Sequence, residues 1–276
     1  MPFSFYVTRQ RFGANQIRGY QIAEHLGARV NPPDLENPDV CIVVKDTPTA
    51  FSPRRMVGAR WMDILDSHSL MKKARTWRGG LGLLAASRTA ERYLRDQCPE
   101  NPVAFVPQQH CNTERETRTR EAITTVGLIA RGAQSTDACV QPLADGIAKM
   151  GLAFEVCGRF WGRADVQAFH RRIDIHLHWR GLLDDDLMAM KSSLRVANAG
   201  SYGIPSVGTP EPAVLEDFPG AAYVSATTYA DMLEGIAALR DPARYHATAR
   251  AARGCAERFH VERVALDYRA LEGIPT

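Results

Sequence analysis

Two cations and a carboxylate, Lys191, Arg195 and Glu211, lie in one stretch that reads as a helix, a glycine break, a short strand and a loop. Lys191 and Arg195 are four residues apart, which puts both side chains on one helix face and lets them address a single anion. No proline interrupts the run from Lys191 to Tyr202, and Leu187 with Met190 and Leu194 with Ala197 add apolar contacts at helical spacing. Gly203 closes the helix, because glycine tolerates the left-handed conformation of a last turn. Ile204-Pro205-Ser206-Val207 is short and apolar and reads as a buried strand led by its proline. In an open α/β sheet ligands bind in the crevice beyond the carboxyl ends of the strands, so Gly208 to Glu211 would line that rim. The chemistry predicted here is recognition of an anionic, nucleotide-type ligand.

Two other clusters point to different chemistry. Asp184-Asp185-Asp186 contains the Asp-x-Asp spacing that can hold a divalent metal, but it directly precedes a helix, where acidic residues cap the end and complement the dipole. His176 and His178 alternate with Ile175, Leu177 and Trp179, which puts both imidazoles on one strand face with Asp174, as a metal pair or as a polar face. There is no G-x-x-x-x-G-K-[ST] loop, and Arg78-Gly79-Gly80-Leu81-Gly82 lacks the strand-before-helix setting of a dinucleotide fingerprint, which argues against a kinase or dehydrogenase. The absence of a G-x-S-x-G elbow argues against an α/β-hydrolase.

The elements that must position these residues alternate between strand and helix. Phe5 to Val7, Val40 to Val44, Leu81 to Ala86 and Val103 to Val106 read as strands, with helices over Gln16 to Leu26 and Thr89 to Gln97. Pro107 to Glu121 breaks the pattern and reads as a linker. The alternation then restarts with strands at Ile123 to Ile129, Phe154 to Cys157 and Ile175 to Trp179, a helix over Asp137 to Met150, and helices over Tyr229 to Leu239, Pro242 to Arg258 and Val261 to Leu271. Such alternation predicts an α/β protein of two tandem Rossmann-like domains with a cleft between them. The expected boundaries are 1–118, 119–258, and a C-terminal helix, 259–276, packing back on the first domain.

With 276 residues, 45% of them hydrophobic, the chain is long enough for two cores. It has no run of about eighteen apolar residues and no basic-plus-apolar leader, which predicts a cytoplasmic protein. Six cysteines without C-x-x-C spacing read as free thiols in a reducing compartment. The net charge of +3 is unevenly placed: Arg54, Arg55, Arg60, Lys72, Lys73, Arg75, Arg78, Arg88, Arg92 and Arg95 face only Asp63, Asp66 and Glu91. A basic face of this kind would attract phosphate, an acidic glycan or an anionic membrane, giving peripheral association at the inner membrane face, unless it is simply a solvated surface. No nucleic-acid-binding motif accompanies it.

Taken together, the two Rossmann-like halves, the basic helix, Ala199-Gly200-Ser201-Tyr202-Gly203-Ile204-Pro205-Ser206-Val207 and the acidic loop at Glu211 resemble the donor-binding half of GT-B glycosyltransferases of the large retaining branch. The likeness runs from Thr125-Val126-Gly127-Leu128-Ile129 through Tyr223. In the first half, Gly13-Ala14-Asn15-Gln16-Ile17-Arg18-Gly19 looks like the family's opening glycine loop and Val106-Pro107-Gln108-Gln109 like its end-of-domain turn. The resemblance implies transfer of a sugar from a nucleotide-diphosphate donor to a cell-surface glycan or lipid-linked acceptor, without a cofactor or essential metal. It assigns Arg131, Gly132, Lys191, Arg195, Asn198, Gly203 and Glu211 to the donor, Arg18 and Asp63 to the acceptor, and Asp66 and His68 to base chemistry. Asn198 stands where the family places a donor-contacting glutamate, and Met190 where its first glutamate would be. Asn198 can still offer a donor and an acceptor to a hydroxyl. The alternatives are a non-catalytic sugar-binding or assembly subunit of the same fold and a metal-dependent enzyme of GT-A type built on the Asp triplet.

Overall fold

The structure, a computed structural model, describes residues 3–7, 13–32, 40–45, 59–65, 67–74, 81–118, 122–130, 137–158, 162–180 and 185–274. The chain divides into two compact units. Met1–Gln109, Asp184–Ser192 and Val261–Thr276 form the first, and His110–Leu183 with Ser193–His260 the second.

The first unit runs through β1 (Phe3–Val7), a π-helical segment (Asn15–Gln21) that continues into α1 (Ile22–Leu26), β2 (Arg29–Val30), β3 (Val40–Val44), β4 (Ala59–Asp63), α2 (His68–Ala74), β5 (Gly82–Ala85), α3 (Arg88–Gln97) and β6 (Val103–Phe105). The six strands pair in parallel in the order β2-β1-β3-β4-β5-β6. Because successive side chains point to opposite faces, each strand feeds two cores, as a parallel sheet covered on both sides requires. Trp61 and Leu84 pack with Ile22 and Leu26 on one face, while Met62 and Leu83 pack with Met71, Ala90 and Leu94 on the other.

The second unit contains β7 (Thr125–Ile129), α4 (Asp137–Lys149), β8 (Ala153–Cys157), α5 (Arg163–Arg172) and β9 (Ile175–His178). After β9 comes α6 (Asp185–Ala189), which belongs to the first unit. The second unit resumes with α7 (Leu194–Ser201), β10 (Ser206–Gly208), α8 (Pro212–Asp217), β11 (Val224–Ser225), α9 (Tyr229–Ala238) and α10 (Pro242–Ala256). Its five strands are also parallel, in the order β11-β10-β9-β7-β8. Counted within the unit, this is the 2-1-3-4-5 winding, whose strand order reverses between β7 and β9; that reversal is the topological switch point where such sheets bind ligands. Val126, Leu128, Leu177 and Val207 bury one face against α4 and α9, and Ile129 joins Phe169, Ile173 and Tyr202 on the other. The last helix, α11 (Val261–Arg269), returns to the first unit, where Val264, Ala265 and Tyr268 join the core around Phe3 and Phe5. Among the described residues no helix is long and apolar enough to cross a membrane.

The α/β architecture with two Rossmann-like sheets is therefore as expected, and the chain passes from the first unit to the second between Gln109 and His110, inside the segment read as a linker, which is packed there. Gln108, Gln109, His110, Cys111 and Asn112 are buried. Within the second unit, Asn112 donates to the Ser201 carbonyl at 3.0 Å, Gln167 donates to the Cys111 carbonyl at 3.0 Å, and Arg171 pairs with Glu116 at 2.6 Å. The polar residues that resembled a linker are the groups that fasten this segment to α5 and α7.

Candidate functional site

The carboxyl-terminal edge of the second sheet gathers charge around the end of β9. His178 is the last residue of that strand, and two residues later comes Arg180. Gly208 ends the neighbouring strand in register with His178, and a β-carbon there would lie 1.9 Å from the His178 carbonyl oxygen. Backbone cannot retreat from such a contact, so the chain must be bare at this point. Thr209 donates its N–H to the same carbonyl at 2.9 Å, and the chain then delivers Glu211 beneath the edge.

Glu211 is fully buried. Its Oε1 lies 2.8 Å from His178 Nε2 and 2.7 Å from Arg180 Nε. Neither contact has hydrogen-bond alignment, and both carboxylate oxygens keep unused acceptor capacity. Burial pushes the Glu211 carboxyl up, but His178, Arg180 and Arg195 pull it further down, below the ordinary carboxylate range, so it is ionised at neutral pH. Burial pushes His178 down against the pull of Glu211, and the charges of Arg180 and Arg195 push it the same way, leaving a neutral ring. Arg195, in the first turn of α7, donates from Nη1 to the Trp179 carbonyl at 3.2 Å, which holds its guanidinium beside the same strand end. Among the described residues at this strand end, one buried carboxylate thus accompanies two guanidinium groups, an arrangement suited to an anion.

The remaining expected residues fall in several places. Arg131 and Gly132 follow the end of β7 and, with Asp66 and Asp184, lie outside the described residues. His68 opens α2. Lys191 does not share a helix face with Arg195: Ser193 caps α7, and Lys191 lies before the cap, in the first unit, where its carbonyl accepts from the Ser87 hydroxyl at 2.9 Å. The break after Met190 stops the helix that the unbroken sequence predicted. Met190 itself is buried in the first unit's core.

Gly203 has φ +73° and ends α7 as expected. Its N–H meets the Gly200 carbonyl at 2.8 Å and the Ile204 N–H meets the Ala199 carbonyl at 3.1 Å, a Schellman pair. Asn198 is buried, and its Oδ1 accepts from the Cys111 N–H at 2.8 Å, so that oxygen serves the fold. Arg18 and Asp63 are fully buried and paired with each other, and Arg18 also donates to the Val106 carbonyl at 2.7 Å. Both lie inside the first unit, with no surface open to solvent.

His176 and His178 do share a strand face, with His170 of α5 beside them at a ring distance of 6.0 Å from His176. His176 meets the Ser206 hydroxyl at 3.0 Å, while Asp174 takes Arg118 at 2.7 Å and the backbone N–H groups of Thr124 and Thr125. Among the described residues no group of three His, Cys, Asp or Glu is arranged to hold a metal ion. Asp185 and Asp186 are exposed in the first turn of α6, where they complement the dipole. Of the basic run, Arg88 and Arg95 both pair with Glu91, at 2.6 and 2.7 Å, while Arg54, Arg55, Arg75 and Arg78 lie outside the described residues.

Arg180 is the residue that sequence reasoning missed. It shares the parity of His176 and His178, so extending the strand face two residues past β9 would have brought it into view.

No family profile matches the chain, and no curated protein matches it in sequence. Solved structures do match it in fold. A glycosyltransferase of Rickettsia africae superposes with a TM-score of 0.69 at 9% identity, over 98% of this chain and 97% of that one. HepE of Anabaena, in complex with UDP and glucose, gives 0.66 at 12% identity over 98% of both chains. The pneumococcal O-GlcNAc transferase GtfA, in complex with UDP and GlcNAc, gives 0.55 at 12% identity over 84% of this chain. The chain spans only 52% of GtfA, 55% of TarM and 59% of the matched chain in the GtfA/B complex. The two parallel α/β units thus have the GT-B-like fold of these glycosyltransferases, and at such identities the likeness is one of fold.

Proposed function

We propose that the protein is a glycosyltransferase that takes its sugar from a nucleotide-diphosphate donor held at the carboxyl-terminal edge of the second unit. The observation that carries this reading is the cationic edge itself: Arg195 and Arg180 stand at the end of β9, beside the β7/β9 switch point, over a buried carboxylate. In transfer, the acceptor oxygen bonds to the anomeric carbon as the bond from that carbon to the diphosphate oxygen breaks. Negative charge grows on the departing diphosphate, and fixed guanidinium groups stabilise it without a metal. Arg131, two residues past the end of β7, is a further candidate for this role, and Asp66 and His68 remain candidates for taking the acceptor proton. Structural matches of comparable length support the reading, since HepE was solved with UDP and glucose. The basic residues of the first half support an anionic or lipid-linked acceptor near a membrane surface.

The test is a titration of the purified protein with UDP-, GDP- and dTDP-sugars by calorimetry, with EDTA and then with manganese. Binding of one nucleotide sugar in EDTA is expected, and Arg195→Ala should weaken it about tenfold or more, the scale of one hydrogen bond to a charged group. Binding by none of them would sink the enzyme reading, and binding that needs manganese would favour the metal-dependent alternative. A non-catalytic sugar-binding subunit is the second reading, favoured by Met190 and Asn198, both of which are built into packing. It predicts donor binding without donor hydrolysis or transfer.

A further inference from the structure

We propose that Arg180 grips the donor diphosphate with the terminal edge of its guanidinium, and that buried Glu211 is the positioning residue that aims it. This rests on the reading of the edge as the donor site.

The argument begins with how the guanidinium is held. Glu211 Oε1 approaches Arg180 at Nε, 2.7 Å away, from the fully buried side. Among the described residues no hydrogen bond or ion pair engages Nη1 or Nη2, and neither is sealed from solvent. The side chain is otherwise enclosed, with 11% of its surface exposed. An arginine with Nε against a buried carboxylate and both Nη atoms open presents a planar two-donor fork, the arrangement that matches two oxygens of a phosphate. His178 Nε2 also lies against the same Oε1, at 2.8 Å, so the carboxylate is packed between fully or largely buried groups. The Gly208 contact with the His178 carbonyl fixes the backbone that carries them. Glu211 has no exposed surface of its own, so its effect on a ligand passes through Arg180. The carboxylate also lies at the end of the strand pair β9/β10, where a rigid scaffold holds the fork before the ligand arrives.

The experiment measures affinity by calorimetry for the tightest of UDP, GDP and dTDP, for inorganic pyrophosphate as a base-free probe, and for the matching nucleoside. Arg180→Ala should weaken diphosphate and pyrophosphate binding about 10- to 100-fold and leave the nucleoside unchanged. Arg180→Lys should not rescue it, since one ammonium cannot keep both Glu211 and two phosphate oxygens. Glu211→Gln should weaken the diphosphate about three- to tenfold in the wild-type background and have no further effect on top of Arg180→Ala. Equal effects of Glu211→Gln in both backgrounds would overturn the positioning role. Full diphosphate affinity in Arg180→Ala, with affinity lost in Arg195→Ala, would overturn the grip by Arg180 while leaving the donor site standing. If wild-type protein binds none of the nucleotides, the donor-site reading itself fails.

Discussion

The second unit should lose stability in mild acid, because it buries neutral histidines that the unfolded chain can protonate. His170 stacks on Tyr202 at a ring distance of 5.7 Å, its Nδ1 meets the Val166 carbonyl of its own helix, and Arg118 adds positive charge nearby. Burial pushes it down from 6.5 to about 4. His110 is likewise pushed from 6.5 to about 4, by burial first and then by His260, with Glu257 pulling it up and Arg115 pushing it down. A folded-state pKa below the unfolded one means that the unfolded chain binds more protons. The stability is therefore complete above 6.5 and is lost as pH falls from there toward 4. At about pH 5 each of these groups costs about 2 kcal/mol by linkage, and the pair about 4 kcal/mol. His176 and His178 are shifted in the same direction, so the loss is at least this large. Against a typical domain stability of about 5–15 kcal/mol, that is a large share. Urea melts followed by circular dichroism between about pH 7.5 and pH 5 measure it, in a window above the titration of most carboxylates. His170→Phe keeps a ring against Tyr202 and should recover about 2 kcal/mol at the acid end relative to wild type. Stability that stays flat across the window, or a variant with the wild-type slope, would refute the reasoning.

Two further outcomes follow from the rim. Gly208→Ala must part β9 from β10, since the new β-carbon would sit 1.9 Å from a backbone oxygen, and should cost about 3 kcal/mol or more in a urea melt; an alanine variant as stable as wild type would show that the strand ends give way easily. Asn198→Ala leaves the buried Cys111 N–H without its acceptor and should cost about 1–3 kcal/mol with donor affinity unchanged; a loss of donor affinity at unchanged stability would instead return Asn198 to the ligand.

Much of the fold was legible because parallel strands announce themselves. Val40-Cys41-Ile42-Val43-Val44 is buried on both faces, and the glycine at 203 marks the end of α7 through a conformation few other residues adopt. What was hidden depended on the third dimension. No local rule separates a cation that pairs in a core from one that waits for a ligand, so Arg18 and Asp63 looked available until their burial was seen. Likewise, a polar segment reads as a linker whether its groups meet water or, as for the Asn112 amide and the Cys111 carbonyl, another part of the unit. The Lys191–Arg195 pairing failed for a different reason: helical spacing carries across a break when no proline or glycine marks it, and here Ser192 and Ser193 interrupt the helix while their hydroxyls bond to Gln108 and Asp217.

The rim shows why the carboxylate was found in sequence and its role was not. Glu211 drew attention as an acid in a loop after a strand, and such an acid is ordinarily read as touching the ligand. Its burial adds a second route, because a carboxylate with no exposed surface also acts on the groups packed against it. The nearest are His178 and Arg180, and only Arg180 extends from the packed layer with donors to spare. An ionised carboxylate beneath a guanidinium also lowers the cost of keeping that cation partly desolvated before an anion arrives. The same group that offsets positive charge at the edge therefore makes one of its cations stiff and directional. For a diphosphate, whose oxygens must be met at defined positions as charge builds on them, direction is worth more than one additional unit of unfixed charge.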